Sequence, residues 1–311
     1  LRNAFSAELV RAAHEDDRLV LLTGDHGYTL FDEFRRVHSD RFVNAGVAEQ
    51  NMVGVAAGMA KAGLRPYVYG LSAFVPMRVL EQIKLDCCYE PLPVVFLGDG
   101  AGVVYSTLGA SHQCTEDVAA LRALPHLSIL SPSDSHEMSA CMALARTATG
   151  PVYLRMGKSD LGTVHARPIS LAWGRLLPVT EGRGDIAWIA TGSMVHTALK
   201  VAAGFEGSSV WSAPCLKPID TETVADICSG HRVVVTLEEH SIYGGLSSAV
   251  AEIAGAHAPT RICPIGVQDR FSKYCGSYEY LIREHGLDAE SVAAQVRAFL
   301  SRVSPKLRLA G

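Results

Sequence analysis

Several stretches of this 311-residue chain carry residue types that could do chemistry. Glu49 stands in RFVNAGVAEQNMVGVAAGMAKAG, residues 41–63, at the start of a helix that otherwise reads as buried. A carboxyl group there could hold or pass a proton, or serve only as an acid at the positive end of the helix dipole. His112 follows the Gly-rich loop Gly98–Gly109 and precedes Gln113. It reads equally as a ligand contact and as a loop histidine bonded to backbone. Asp25 and His26 lie just after the apolar run Leu19–Thr23, and Phe74 just after Pro66–Leu71, as core or as a platform for a flat ring. Glu238-Glu239-His240 has the composition of a metal cluster, but neighbouring residues on a strand point to opposite faces, so no shared ion is expected. The chain has no P-loop and no GxGxxG fingerprint, and so no evident way to hold a diphosphate by itself.

The elements that must position these residues alternate. Apolar runs at 19–23, 66–71, 92–97, 127–130 and 150–156 read as strands, with helices expected at 1–16, 48–62, 77–89 and 115–124 and another starting at Asp134. In the 48–62 helix, Met52, Val55, Ala56 and Met59 form an apolar stripe at i, i+3, i+4 and i+7. Gly54, Ala57, Gly58 and Ala60 suit close approach of another backbone, and Gly63 caps its end. A second α/β pattern restarts near residue 185, with strands at 186–190, 210–212, 232–237 and 260–263. The expected fold is therefore two doubly wound α/β domains: residues 1–165, a Gly- and Pro-rich linker over 166–184, and residues 185–311. Ligands of such folds bind at the carboxyl ends of the strands, where Asp25, Phe74 and the 98–112 loop fall.

Composition narrows the function classes. A net charge of −4 with no basic run excludes a nucleic-acid surface, and no apolar run is long enough to span a membrane. Eight scattered cysteines without a CxxC pair suit reduced, cytoplasmic thiols. No metal site on this chain is expected: Gly98-Asp99-Gly100 resembles the opening of the thiamine-diphosphate GDG…NN motif, but the Asn-Asn that should follow is absent from His126–Leu130.

Taken together, RFVNAGVAEQNMVGVAAGMA, EQIKLDCCYEPLPVVFL, GASHQCTEDVAALRALPHLSILSPSD and GPVYLRMGKSD resemble, in order and spacing, the pyrimidine-binding half of a transketolase. DIAWIATGSM and VVVTLEEHSIYGGLSSAV resemble the transketolase C-terminal domain. The resemblance implies a thiamine-diphosphate-dependent transferase moving a two-carbon ketol unit between a ketose and an aldose. It implies a split enzyme, with the diphosphate and Mg2+ held by an N-terminal-type partner subunit that carries GDG…NN, in an α2β2 heterotetramer. By motif, Glu49 is the catalytic glutamate that donates to the pyrimidine N1′, which asks for a carboxyl able to hold or share its proton. Phe74 is the aromatic stacked on that ring, Asp25 an acid at the cofactor-facing subunit contact, and His112 a substrate contact. Lys158 and Thr29 fall near residues that bind a sugar phosphate. Two departures bear on substrate: Gly100 replaces a substrate-contacting histidine and leaves a gap, and Leu108 replaces an aspartate that reads a sugar hydroxyl. These predict a modified sugar phosphate (amino, deoxy or branched) of a specialised pathway. Other readings are the β subunit of a 2-oxo-acid dehydrogenase E1, a pyruvate-using deoxy-ketose synthase, and a non-catalytic regulatory subunit.

Overall fold

The computed structural model describes residues 1–303; the last eight positions of the expected second domain, 304–311, lie outside the described residues. Among the described residues twelve strands build two sheets: β1 Leu19–Thr23, β2 Phe42–Asn44, β3 Arg65–Leu71, β4 Val95–Asp99, β5 Ser128–Leu130, β6 Val152–Met156, β7 Leu177–Thr180, β8 Ile186–Ala190, β9 Ser209–Ser212, β10 Cys215–Lys217, β11 Val233–Ser241 and β12 Arg261–Val267. The first sheet has the order β10-β5-β6-β4-β3-β1-β2 and the second β12-β11-β8-β9-β7. All pairings are parallel except β10 with β5 and β7 with β9. Helices cover both faces, so the inner strands are continuous apolar runs. In β1, Leu19 and Leu21 enter one hydrophobic layer with Phe5 and Phe34, while Val20 and Leu22 enter the other with Met52 and Phe96.

Three expectations need correction. The stretch 166–184 is not all linker: β7 lies in it and forms an edge of the second sheet. Its intermediate–exposed alternation gives a weak sequence signal, and Pro178 is tolerated because the strand lies at an edge. The two halves also interlock, since β10, from the second half, pairs along β5 of the first sheet. The helix expected over 77–89 is a 3-10 turn at Met77–Val79, a short α segment at Leu80–Gln82 and a π-helical stretch at Ile83–Cys88. The wider π turn brings i+4 and i+5 to one side, which buries Cys87 and Cys88 together with Ile83. The Glu49–Lys61 helix forms as expected, with Gly63 at φ +94° beyond its end. It buries Met52, Val53, Ala56, Ala57 and Ala60, whereas Val55 is exposed beside Gly54 and Gly58. Among the described residues no helix is long and apolar enough to cross a membrane, and all eight cysteines are free.

A fully buried ion pair of the first half reaches across to the second. Arg155 on β6 donates from Nε to Asp117 Oδ2 at 2.8 Å, and its Nη2 donates to the Glu239 carbonyl on β11 at 2.9 Å. Tyr153 Oη donates to the same Asp117 oxygen at 2.7 Å. Burial pushes the Asp117 carboxyl up, but the Arg155 charge, the nearby His240 and the hydrogen bonds from Arg155 and Tyr153 together hold the group below the usual carboxylate range. Removing one partner of such a pair strands the other in low dielectric. We expect Asp117→Asn to lower the unfolding free energy by about 3–5 kcal/mol, read from urea or guanidinium denaturation. A change below about 1 kcal/mol would mean that the pair is not the seam's main tie.

Candidate active site

The parallel register sets the carboxyl ends of the central strands side by side. Thr23 pairs with Asn44 and Tyr69, Leu71 with Asp99, and Asp99 with Met156. Each candidate residue follows one of these ends: Gly24–His26 after β1, Glu49 after β2, Phe74 after β3, His112 after β4 and Lys158 after β6.

Glu49 opens its helix with only 3 % of its surface exposed. Ala48 offers no side-chain cap, and a negative group at this end of a helix is favoured by its dipole. Its Oε1 accepts a hydrogen bond from Arg78 Nη1 at 3.0 Å and lies 3.9 Å from His26 Nε2. That imidazole nitrogen is buried without a hydrogen-bond partner. This loop packs against Glu49: a Cβ on Gly24 would be in ordinary contact with Glu49 Cγ at 3.6 Å and tight against the Gly46 carbonyl at 3.3 Å. Phe74 gathers the rest. Its ring centre is 5.8 Å from the His26 ring and 5.3 Å, edge-on, from the His112 ring, and the Arg78 guanidinium carbon lies 4.0 Å over it. Ser111 Oγ lies 2.9 Å from His112 Nδ1. Glu49, Phe74 and His112, chosen from sequence alone, thus belong to one cluster with His26 and Arg78. The chain gives no spacing signal for Arg78, which reaches Glu49 from the turn after β3.

Asp25 stands at the rim, exposed, in the left-handed region at φ +62°. It exchanges hydrogen bonds with Asn44: its N–H donates to Asn44 Oδ1, and its Oδ1 accepts from Asn44 Nδ2, both at 3.1 Å. Thr29 is also exposed, at φ +64°, a strained conformation for a β-branched residue. Lys158 pairs with Asp160 at 3.0 Å and lies 5.2 Å from the centre of the Tyr278 ring. Thr29 and Lys158 follow β1 and β6, strands that β3 and β4 hold apart in the sheet by about 14 Å at ordinary strand spacing.

The Gly-rich loop differs from expectation at Gly100. No gap exists there: at φ +72° a Cβ would fall 2.0 Å from the Tyr105 ring, so this aromatic fills the space. Asp99 is occupied structurally, its Oδ2 accepting from Tyr69 Oη at 2.6 Å and from Tyr105 Oη at 3.3 Å, with Arg2 Nε 3.7 Å away. Leu108 is half exposed.

The Glu238-Glu239-His240 run divides its faces as the strand pleat requires. Glu238 caps the Leu246–His257 helix by accepting from the Leu246 and Ser247 amides at 2.7 and 2.8 Å, and burial pushes its carboxyl up to about 7. Glu239 faces the Gly-rich loop, a role that no sequence signal announced. His240 accepts from the Ala119 amide at Nε2 and lies beside Asp117.

A family model of the transketolase pyrimidine-binding domain matches residues 1–163. The chain belongs to the transketolase family. The model of the transketolase C-terminal domain matches residues 174–292 of this transketolase chain. It is 33 % identical over 297 residues to a 6-deoxy-6-sulfo-D-fructose transketolase subunit of Clostridium sp. strain MSTE9, covering 94 % of this chain and 92 % of that one. It is 36 % identical to the 1-deoxy-D-xylulose-5-phosphate synthase of Chlorobium luteolum, over 95 % of this chain but 48 % of that enzyme. Among solved structures, a split-gene transketolase, an inactive beta4 tetramer, superposes with a TM-score of 0.87 at 34 % identity, covering 96 % of this chain and 97 % of that one. In domain content and extent the transketolase chain therefore matches the C-terminal subunits of split transketolases.

His240 gives this seam a pH signature. Burial pushes its imidazole down to about 4; the Asp117 carboxylate opposes that shift and the Arg155 charge adds to it. A depressed histidine contributes stability that is complete above its unfolded value, near 6.5, and is lost as pH falls toward 4. Glu238 has the opposite sign, its contribution fading as pH rises from about 4.5 through about 7. Comparing the parent with His240→Asn isolates the histidine. The parent's stability relative to the variant should fall by about 3 kcal/mol between pH 7 and pH 4, measured by denaturant titration at each pH. A pH-independent difference would mean that His240 is not held neutral.

Proposed function

We propose that this chain is the pyrimidine-side subunit of a two-component, thiamine-diphosphate-dependent transketolase, active with a partner that holds the diphosphate and Mg2+. The observation that carries the reading is the convergence of Glu49, Phe74, His26 and His112 at the carboxyl ends of neighbouring strands. The residues present fit the ring they would hold. The Arg78 guanidinium lies over Phe74 while donating to Glu49, so one flat, nitrogen-bearing group can meet platform and carboxyl at once. Arg78, its side chain 44 % exposed, has room to swing outward, and the unpartnered His26 Nε2 is left to meet a ligand atom.

Thiamine diphosphate, when bound, supplies the electron sink through which a carbon–carbon bond is broken and remade. The chain's own residues do the rest. Glu49 holds a proton at the ring nitrogen N1′, from a site where water is excluded. Phe74 fixes the plane of the ring. His112, at the edge of Phe74, meets the substrate's reacting oxygens, with Ser111 orienting its Nδ1. The exposed Gly54, Val55 and Gly58 face supports packing of the Glu49 helix against another subunit, and Asp25 lies at the same rim. The inactive beta4 neighbour supports dependence on a second kind of chain.

For substrate, we propose a modified sugar phosphate. Tyr105 fills the place where a histidine would contact a standard ketose, Leu108 cannot accept a hydroxyl's hydrogen bond, and a relative acts on a sulfonated fructose. A pyruvate-using deoxy-ketose synthase is the second reading, favoured by the 36 % identity to such an enzyme.

Three outcomes are expected. In the complex reconstituted with its N-terminal-type partner, Glu49→Gln should abolish turnover by at least about 100-fold, while Phe74→Ala should weaken cofactor binding about tenfold in calorimetric titration, the scale of one aromatic stack. A Glu49→Gln variant as active as the parent would end the assignment. Separately, product analysis should show ketol transfer from ketose donors, with modified sugars preferred over xylulose 5-phosphate. Carbon dioxide release from pyruvate with formation of a 1-deoxy-ketose would install the second reading instead.

A further inference from the structure

The second half contacts the Gly-rich loop at several points along its length. Glu239, 1 % exposed on β11, accepts from the Val103 amide at 2.8 Å through Oε1. Through Oε2 it accepts from Ser193 Oγ and from Tyr278 Oη, the latter at 2.7 Å. Gly102 has no room for a side chain here, since a Cβ would fall 2.4 Å from Glu239 Oε1. At the other end, Ser272 Oγ donates to Gln113 Oε1 at 2.7 Å and lies 2.8 Å from His285 Nε2. Between these points the Gly276 amide donates to the Ser106 carbonyl at 3.3 Å, and Cys275 Sγ lies 3.0 Å from where a Gly109 Cβ would be.

His112 hangs between these contacts. Its amide, like that of Gln113, donates back to the Gly109 carbonyl at 3.0 and 3.2 Å respectively. The turn that aims His112 at Phe74 therefore begins at Gly109, whose missing side chain leaves room for Cys275 Sγ, and ends at the residue held by Ser272. From its own half, the loop is pinned near its base by the Gly102–Cys114 bridge and the bond from the Ala101 amide to the Met156 carbonyl, and part-way along by Tyr105 Oη, which donates to Asp99 at 3.3 Å; the stretch from Ser106 to Gln113 is met by the second half.

We infer that the second half is a clamp on the substrate-facing loop, with Glu239 and Ser272 as positioning residues that hold His112 against Phe74. His285 belongs to the clamp as the partner that orients the Ser272 hydroxyl. The inference rests on the reading of His112 as a substrate contact, but the clamp itself is a physical property of the chain. It assigns work to a domain that carries no cofactor signature of its own.

Hydrogen exchange on the full chain tests the clamp independently of activity. Ser272→Ala removes one hydroxyl from a half-buried site and leaves the seam of Arg155 and Asp117 untouched. It should speed amide exchange across residues 103–114 about tenfold, with the Glu49–Lys61 helix unchanged. Glu239→Gln should act on the same peptide. In the reconstituted complex, Ser272→Ala should lower kcat/KM about tenfold through a raised substrate KM, leave thiamine diphosphate affinity within twofold, and be rescued by Ser272→Thr. Unchanged exchange in 103–114, or exchange raised equally throughout both halves, would overturn the clamp. Altered exchange with kcat/KM unchanged would overturn the positioning role. An active Glu49→Gln control would instead count against the functional reading, leaving the exchange result to stand by itself.

Discussion

The substrate-facing side of the candidate site depends on one buried charge, the Arg155 guanidinium. It is engaged on two sides: Asp117 neutralises it, and the Glu239 carbonyl takes a further donor. The geometry suits a guanidinium rather than a lysine ammonium, because a planar fork can serve a carboxylate and a carbonyl in different directions without turning. By tying β6, the Asp117–Arg122 helix and β11 together, this group helps to set how the second half lies on the first, alongside the β10–β5 pairing and the Arg122 bonds to Gly244 and Glu252. The positions of Glu239, Ser272 and Tyr278 relative to the Gly-rich loop follow from it. Burying a charge is unfavourable unless its partners are fully in place, so the seam tolerates little sliding.

Much of this was legible in the sequence where local chemistry and function coincide. Glu49 stands out as a carboxylate at the start of a buried helix, and the alternation of strands and helices gives both sheets. Phe74 and His112 are ordinary taken singly; the motif order surrounding them singles them out, and the structure then places their rings 5.3 Å apart. What escaped is what depends on distance in space. Arg78 reaches Glu49 from a different strand end. β10 crosses to the first sheet with only three residues, too few for a periodicity. β7 alternates, but in a stretch whose glycines and prolines speak for a linker. Tyr105 filling the place over Gly100 could not be read from either residue alone, because only the left-handed turn at Gly100 folds the loop back on itself.

The cofactor side of the candidate site and the substrate side are built differently. Glu49 and Phe74 sit on or beside regular elements of one half, supported by the packed core of Met52, Val53 and Ala56. His112 sits on a loop whose support is borrowed from the other half. A division of this kind lets the binding of a common cofactor remain constant while the loop changes, since substitutions at Gly100, Tyr105 or Leu108 do not pass through the packing beneath Glu49. The loop's dependence on Glu239 limits that freedom at Gly102, where any side chain would displace the carboxylate.

The crossing of β10 has a consequence for how such chains can be rearranged. Its three residues cover the outer edge of β5, which would otherwise present unpaired N–H and C=O groups to other chains. A cut between the halves would not yield two finished modules. The first would carry an open, adhesive sheet edge, and the second would trail a strand with nothing to pair against. Recombination that exchanged second halves between relatives would have to carry a matching Cys215–Lys217 strand with them. The pair of domains is thus joined through one sheet, although its sequence divides into two family segments.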